Sequence, residues 1–142
     1  MARIKIDLPE SFAFTTFIPV RITDINYGGH AGNDTILSII HEARMQFLKS
    51  YGYTELEFDD VGLIMADVGI EFKNELFYGD VVTASVAASG FSKVSFELYY
   101  KLEKDVAGKK VLVAAAKTGM VCYDYNNKKI VAVPDKALKK LQ

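Results

Sequence analysis

The spacing of the apolar residues changes at Asn33, and that change limits the fold more than any other feature of the chain. From Asn33 to Tyr51, the residues Ile36, Ile40, Ala43, Phe47 and Tyr51 recur at helical spacing. Leu37, Ile39 and Leu48 widen this stripe, leaving Ser38, His41, Glu42, Gln46 and Lys49 on a narrower polar side. A helix that is apolar over so much of its circumference must be covered on most sides. Asn33 or Asp34 can cap its start, Lys49 suits its negative end, and Gly52 suits the position just past it.

The rest of the chain supplies strands to do the covering. Phe12, Phe14, Ile18, Val20 and Ile22 alternate as in a half-buried strand, and Pro19 points to an edge position. Thr54 to Asp60 is acidic and irregular, read as a loop with room for a short helical turn. Ile64, Ala66, Val68, Ile70 and Phe72 then alternate, followed by a Tyr78-Gly79-Asp80 turn and a strand from Val81 to Ala88. Val94 to Leu102 forms the next strand, and a Lys104–Lys109 loop leads into a long one from Val111 to Tyr125. Asn126-Asn127 reads as a tight turn, Ile130 to Val133 as a short return strand, and Pro134 opens a Lys-rich terminal helix. The expected class is α+β, one antiparallel sheet curled around one long helix. The expected domain is a single one spanning residues 1–142.

Charge and cysteine content narrow the partners. A net charge of −1 gives no general drive toward nucleic acid or an anionic membrane, and no apolar run is long enough to span a bilayer. The Lys109-Lys110, Lys128-Lys129 and Lys139-Lys140 pairs read as solvated faces. The single cysteine, Cys122, lies in an apolar strand pattern, which suits an inert buried thiol in a reducing compartment such as the cytoplasm. No signal peptide is visible at the N-terminus. Two histidines and one cysteine argue against a dedicated transition-metal site.

The chemistry is concentrated just before the helix. Arg21-Ile22-Thr23-Asp24-Ile25-Asn26-Tyr27-Gly28-Gly29-His30-Ala31-Gly32-Asn33-Asp34 crowds polar and ionisable side chains around a Gly-Gly turn. The first N–H groups of a helix have no intrahelical partner, and its positive end can polarise a carbonyl or stabilise an oxyanion. Gly28, Gly29 and Gly32 allow the backbone to approach a ligand. Asp24, Asp34 and His30 are candidate bases, and Asn26 and Asn33 can orient water or a carbonyl. Purely structural roles compete: Asp24 can pair with Arg21, Asp34 can be only a cap, and His41 on the polar helical face is expected to be solvated.

The pattern Arg21-x-x-Asp24-x-Asn26-x-x-Gly29-His30-x-x-Asn33, followed by Leu37 and Glu42-Ala43-Arg44, resembles the hotdog-fold acyl thioesterases of the 4-hydroxybenzoyl-CoA thioesterase type. Gly79-Asp80-Val81 resembles the Gly-Asp turn of the same family. The resemblance implies a sheet wrapped around the helix, homodimers or dimers of dimers with edge-to-edge sheets, and active sites between subunits. It also implies that the helix N-terminus polarises a thioester carbonyl while a carboxylate attacks or activates water.

Two positions depart from the family pattern. The second Asp, often the catalytic carboxylate, is Asn26, and an amide cannot act as an anionic nucleophile or base. Gly32 stands where the family usually has Asn.

The reading is therefore hydrolysis of acyl-CoA or acyl-carrier-protein thioesters. The expected catalytic residues are Asp24, Asn26, His30, Asn33 and Asp34, with Tyr27, Gly29 and Gly32 at the substrate. No cofactor is expected beyond the CoA of the substrate, and no nucleic-acid or membrane partner. Ile64, Ala66 and Val68 are assigned to the core in preference to an acyl pocket. Two alternatives stand beside this reading. One is a protein that binds acyl thioesters without cleaving them. The other, ranked well below, is a hydratase: Asp24-x-Asn26 with a following His30 is similar to the Asp-x-Asn-Pro-x-His motif of the hydratase branch, with Tyr27 in place of the Pro and the His one residue further on.

Overall fold

The computed structural model describes residues 2–142. Its elements in chain order are β1 (Phe14–Pro19), α1 (Asn33–Ser50), β2 (Gly62–Phe72), β3 (Val81–Ser89), β4 (Ser95–Val106), β5 (Lys109–Asp124), β6 (Lys129–Ile130) and α2 (Asp135–Leu141). A short 3-10 turn, Ile22–Asp24, lies between β1 and α1. The strands form one antiparallel sheet in the order β1-β3-β4-β5-β2, with β6 paired to β5. The expected α+β architecture, one sheet curled around one long helix, is present.

The helix buries Ile36, Ile39, Ile40, Ala43, Phe47 and Leu48 against the sheet. The sheet answers with Val82, Ala84 and Val86 from β3, Phe96, Leu98, Tyr100 and Leu102 from β4, and Ala114, Ala116 and Met120 from β5. Each large apolar side chain taken fully out of water contributes roughly 1.5–3 kcal/mol. Phe47 makes edge-on contacts with Phe14 and Tyr51, with ring centroids 5.8 and 5.2 Å away. Gly52 follows the helix with φ +84°, so the chain leaves through the left-handed conformation expected of that glycine.

Several boundaries differ from the sequence reading. The Lys104–Lys109 loop shrinks to a tight turn at Ala107 and Gly108, both with positive φ, because β4 and β5 continue pairing out to Val106 and Lys109. The Asp124 carboxylate accepts the N–H groups of Asn126 and Asn127, which lengthens the next turn and moves the positive φ to Lys128. The return strand keeps only Lys129 and Ile130. Thr54 to Asp60 contains no helical turn. Ile22 begins the 3-10 turn and is exposed, off the face shared by Phe14 and Ile18.

None of Ile64, Ala66 and Val68 lies in the core, and a bulge breaks the alternation that joined them. The register against β5 slips between Met65 and Asp67. One extra residue in a period-two strand exchanges the two faces. Leu63 and Met65 therefore face the helix side before the bulge, and Val68, Ile70 and Phe72 face it afterwards. Ala66 is exposed, and Val68 is 38% exposed, outside the core. The helix lies against β1 and β3, so the helix-side face of β2 at the opposite edge is left partly uncovered. No helix among the described residues is long and apolar enough to cross a membrane.

The N-terminal arm crosses the outer face of the sheet. Ile6 and Ile4 lie over Gly69 of β2, and the Ile6 N–H donates to the Glu71 carboxylate. That hydrogen bond holds the Glu71 carboxyl below its ordinary value. Further along, Phe12 packs under the ammonium of Lys101 on β4, 5.0 Å from the ring centroid.

Candidate active site

The loop before α1 is shaped by its own short polar side chains. Asp24 accepts the backbone N–H of Arg21 at 2.8 Å, and its backbone carbonyl accepts the Thr35 hydroxyl at 3.1 Å. Asn26 Oδ1 accepts the Gly28 N–H at 2.9 Å, an Asx turn that starts the Gly-Gly bend. Gly29 then takes φ +85°, a conformation that strains any other residue. The loop closes through Asn26 N–H to the His30 carbonyl at 3.0 Å. It is tied to the β2–β3 connection by Ala31 N–H to the Leu76 carbonyl at 2.9 Å.

The helix begins without a side-chain cap. Gly32 occupies the N-cap position and makes no side-chain hydrogen bond, and Asn33 is the first helical residue. The expected capping by Asn33 or Asp34 is absent, because each lies one or two residues too far along the helix to reach back to its first N–H groups. The N–H groups of Asn33, Asp34 and Thr35 consequently lack an intrahelical acceptor, and Asp34 adds a carboxylate in the first turn.

Two small gaps bring the side chains together. Asn26 Oδ1 and His30 Nε2 lie 3.2 and 3.6 Å from the position that a Cβ on Gly28 would occupy. Asp34 Oδ1 and Asn26 Nδ2 lie 2.7 and 3.3 Å from the corresponding position on Gly32. The Asn26 amide thus sits between the His30 imidazole and the Asp34 carboxylate. His30 and Asn33 also line a cleft of about 260 Å³, completed by Ala31, Ile36 and the segment Phe72–Leu76. Tyr27 is fully exposed at the loop tip and Gly29 lines the bend beside it.

Asp24 is not part of this group. It pairs with Arg21, Nη2 to Oδ1 at 3.4 Å, and lies in a different cleft between β1 and α1, of about 280 Å³, with Ser38, Glu42 and Gln46. His41 is exposed, as expected, and pairs with Glu55 at 2.7 Å.

One residue of the cleft escaped the sequence reading. Glu75, in the β2–β3 connection, places Oε1 3.7 Å from His30 Nε2. No spacing rule links positions 30 and 75; the Leu76–Ala31 hydrogen bond brings them together. The other ring nitrogen, His30 Nδ1, lies 3.1 Å from the Ala31 carbonyl. A carbonyl can only accept, so Nδ1 carries the hydrogen and neutral His30 presents its Nε2 lone pair to the cleft.

A free Nε2 lone pair beside an uncapped helix N-terminus is an arrangement for activating water next to a carbonyl. Among the described residues there is no group of three or more His, Cys, Asp or Glu side chains able to hold a metal ion. Burial pushes the Cys122 thiol up to about 11, which makes it a poor nucleophile near neutral pH.

Sequence and fold relate the chain to known proteins. A 1,4-dihydroxy-2-naphthoyl-CoA hydrolase of Microcystis aeruginosa is 30% identical over 103 residues, covering 70% of this chain and 72% of that protein. The crystal structure of a 4-hydroxybenzoyl CoA thioesterase mutant complexed with 4-hydroxybenzoyl CoA is similar in fold, with a TM-score of 0.83 at 15% identity. That match covers 91% of this chain and 98% of the other. A 1,4-dihydroxy-2-naphthoyl-CoA thioesterase from Synechocystis matches with a TM-score of 0.78 at 21% identity, over 90% of this chain and 93% of the other. The shared architecture is the hotdog fold. Residues 20–141, from the end of β1 through α2, match the sequence model of one family, and the chain belongs to that family, the thioesterase-like superfamily.

Proposed function

We propose that this protein hydrolyses acyl-CoA thioesters to free acid and thiol in the cleft at the start of α1. The observation that carries the reading is the pairing of His30 Nε2, its lone pair free, with a helix N-terminus that has no side-chain cap. The CoA hydrolase named among the relatives supports the substrate class.

The chemistry follows from the groups present. The thioester oxygen accepts hydrogen bonds from the free N–H groups of the first helical turn, which also supplies a positive field. Water oxygen attacks the carbonyl carbon as His30 Nε2 takes one of its protons. Collapse of the tetrahedral intermediate breaks the carbon–sulfur bond, and the imidazolium returns the proton to the departing sulfur. Asn26 and Asn33 orient water and carbonyl, and Asp34 biases the water from the Gly32 side. Tyr27, Gly29 and Gly32 flank the entering substrate. This route replaces the carboxylate that Asn26 lacks. No cofactor enters it beyond the CoA carried by the substrate.

The proposal includes a second copy of the chain set against β2. Met65 and Val68 on its helix-side face are 36% and 38% exposed, and its outer edge makes no strand pairing among the described residues. A long unpaired edge is a template for a further strand. A reducing cytoplasmic setting fits the one buried thiol, Cys122.

The test is thiol release from short, medium, long and aromatic acyl-CoAs by wild type, His30→Ala and Asp34→Ala. Wild-type turnover that falls about 100-fold or more in folded His30→Ala supports the reading. A wild type inactive on every CoA ester, yet binding them, favours the non-catalytic acyl-thioester-binding reading that Asn26 itself suggests. Absence of turnover leaves acyl-carrier-protein thioesters to the same assay, and enoyl-CoA hydration, which releases no thiol, to an assay of the double-bond absorbance.

A further inference from the structure

We propose that Glu75 is a positioning residue for His30, stabilising the imidazolium formed when Nε2 takes the proton from water. The inference rests on the thioesterase reading above and deepens it.

The geometry separates this role from that of an ordinary hydrogen-bond partner. Nδ1 donates to the Ala31 carbonyl, so neutral His30 turns a lone pair, not an N–H, toward Glu75 Oε1 at 3.7 Å. Two acceptors facing each other gain nothing in the resting state. After proton transfer the same pair becomes imidazolium and carboxylate, and the attraction appears only along the reaction path. An interaction present in the charged state and absent from the ground state raises the rate rather than the affinity.

The fold holds Glu75 in place from its backbone. Lys104 on β4 is 8% exposed, and its ammonium donates to the Glu75 carbonyl at 2.7 Å and to Asp80 Oδ2 at 3.1 Å. The same Asp80 oxygen accepts the Phe77 N–H at 2.9 Å. Lys73 N–H donates to the Val113 carbonyl at 2.8 Å, and Leu76 accepts from Ala31. The connection is thus anchored on β4, on β5 and on the His30 loop. The Glu75 side chain itself is 61% exposed, and among the described residues no other cationic group lies within ion-pair distance of its carboxylate. A side chain so exposed contributes little to the core, whereas the backbone beneath it is fixed from three sides. Asp80 of the Gly79-Asp80 turn acquires a physical role here, as the anion that keeps the buried Lys104 ammonium under Glu75.

The test is steady-state kinetics on an acyl-CoA that wild type hydrolyses, comparing Glu75→Gln, Glu75→Asp, His30→Ala and the His30→Ala/Glu75→Gln double variant. Circular dichroism and thermal melts serve as folding controls. Expected is a fall in kcat on the order of tenfold for Glu75→Gln with KM unchanged. Glu75→Asp should recover part of it. In the His30→Ala background, Glu75→Gln should change nothing further. Wild-type kcat in Glu75→Gln while His30→Ala is inactive overturns the role of Glu75 alone. An equal loss in both backgrounds, or a change confined to KM, also overturns it, because Glu75 then acts without His30. Turnover unaffected by His30→Ala removes the base and this proposal together, and a wild type that turns over no acyl-CoA removes the acyl-CoA reading on which this proposal rests.

Discussion

The Arg44 guanidinium, buried on the sheet side of α1, donates to the Tyr100 hydroxyl of β4 at 3.3 Å, and that hydroxyl meets Thr118 of β5 at 2.7 Å. A charged residue thus joins helix to sheet in the middle of an apolar core. Burial pushes the Tyr100 hydroxyl above its ordinary value, so it stays neutral and able to share its hydrogen. The charge is balanced from the loop after the helix, where Glu55 Oε2 lies 3.6 Å from Arg44 Nε, a nitrogen with no hydrogen-bond acceptor.

This arrangement makes Glu55 worth more to stability than a surface carboxylate. Removing one member of a buried ion pair costs about 3–5 kcal/mol, and the partial exposure of Glu55 reduces the expected loss for Glu55→Ala to about 1–3 kcal/mol. Replacing both partners removes the stranded charge. Urea unfolding of Glu55→Ala, Arg44→Met and the double variant should show the double variant more stable than Glu55→Ala. Additive losses would show that the two side chains do not act as a pair.

Position 26 can be tested by restoring the carboxylate. With Asp at this position, an anionic base lies between His30 and Asp34, and water can lose its proton without the imidazole. Asn26→Asp introduced into His30→Ala should recover at least tenfold of the lost kcat, on the usual scale of a general base. No recovery in a folded double variant would mean that position 26 does not face the reacting water in this protein.

The β2 edge makes a prediction about assembly. Charged side chains on a sheet edge oppose pairing with another strand. Met65→Lys/Val68→Lys should shift the light-scattering mass from dimer to monomer and lower turnover, while the monomer keeps its far-ultraviolet spectrum. A wild type that is already monomeric would remove the partner subunit from the proposed site.

The N-terminal arm should respond to acid. The Ile6 N–H holds the Glu71 carboxyl below its ordinary value, so the contact favours the ionised form. Its contribution is complete above the ordinary carboxylate range and disappears as pH falls through the lowered value. The Ile6 amide should be protected from hydrogen exchange at neutral pH, and its protection factor should drop under acid conditions or in Glu71→Gln at any pH. A protection factor independent of both changes would show that the arm is held by Ile4 and Ile6 packing on Gly69 alone.

Much of the architecture was legible along the chain because its causes are local. The helical spacing from Ile36 to Phe47, the alternation in β4 from Phe96 to Leu102, and Gly52 past the helix end each reflect a backbone period or a single φ requirement. The Arg21–Arg44 pattern and the Gly79-Asp80 turn were equally visible, because loop-to-helix transitions carry their information in neighbouring residues. Local order fails where one residue changes the meaning of its neighbours. The bulge at Ala66 reverses the face of everything after it in β2, and nothing in Ile64-Met65-Ala66-Asp67-Val68 announces it.

The sequence by itself therefore determined the helix, the strands, the family resemblance and the polar loop, since these depend on residues a few positions apart. Only the tertiary structure decided which polar residues meet. Asp24 and Arg21, three residues apart, pair locally as the sequence allowed, whereas the tertiary structure placed Asp24 in a cleft with Ser38, Glu42 and Gln46 and set Glu75 beside His30. The physical reason is that the meeting of Glu75 and His30 is fixed by the Ala31–Leu76 hydrogen bond and by the buried Lys104 ammonium on β4, which acts on a loop far from it in sequence. A contact made by such closure has no periodic trace in the order of the residues.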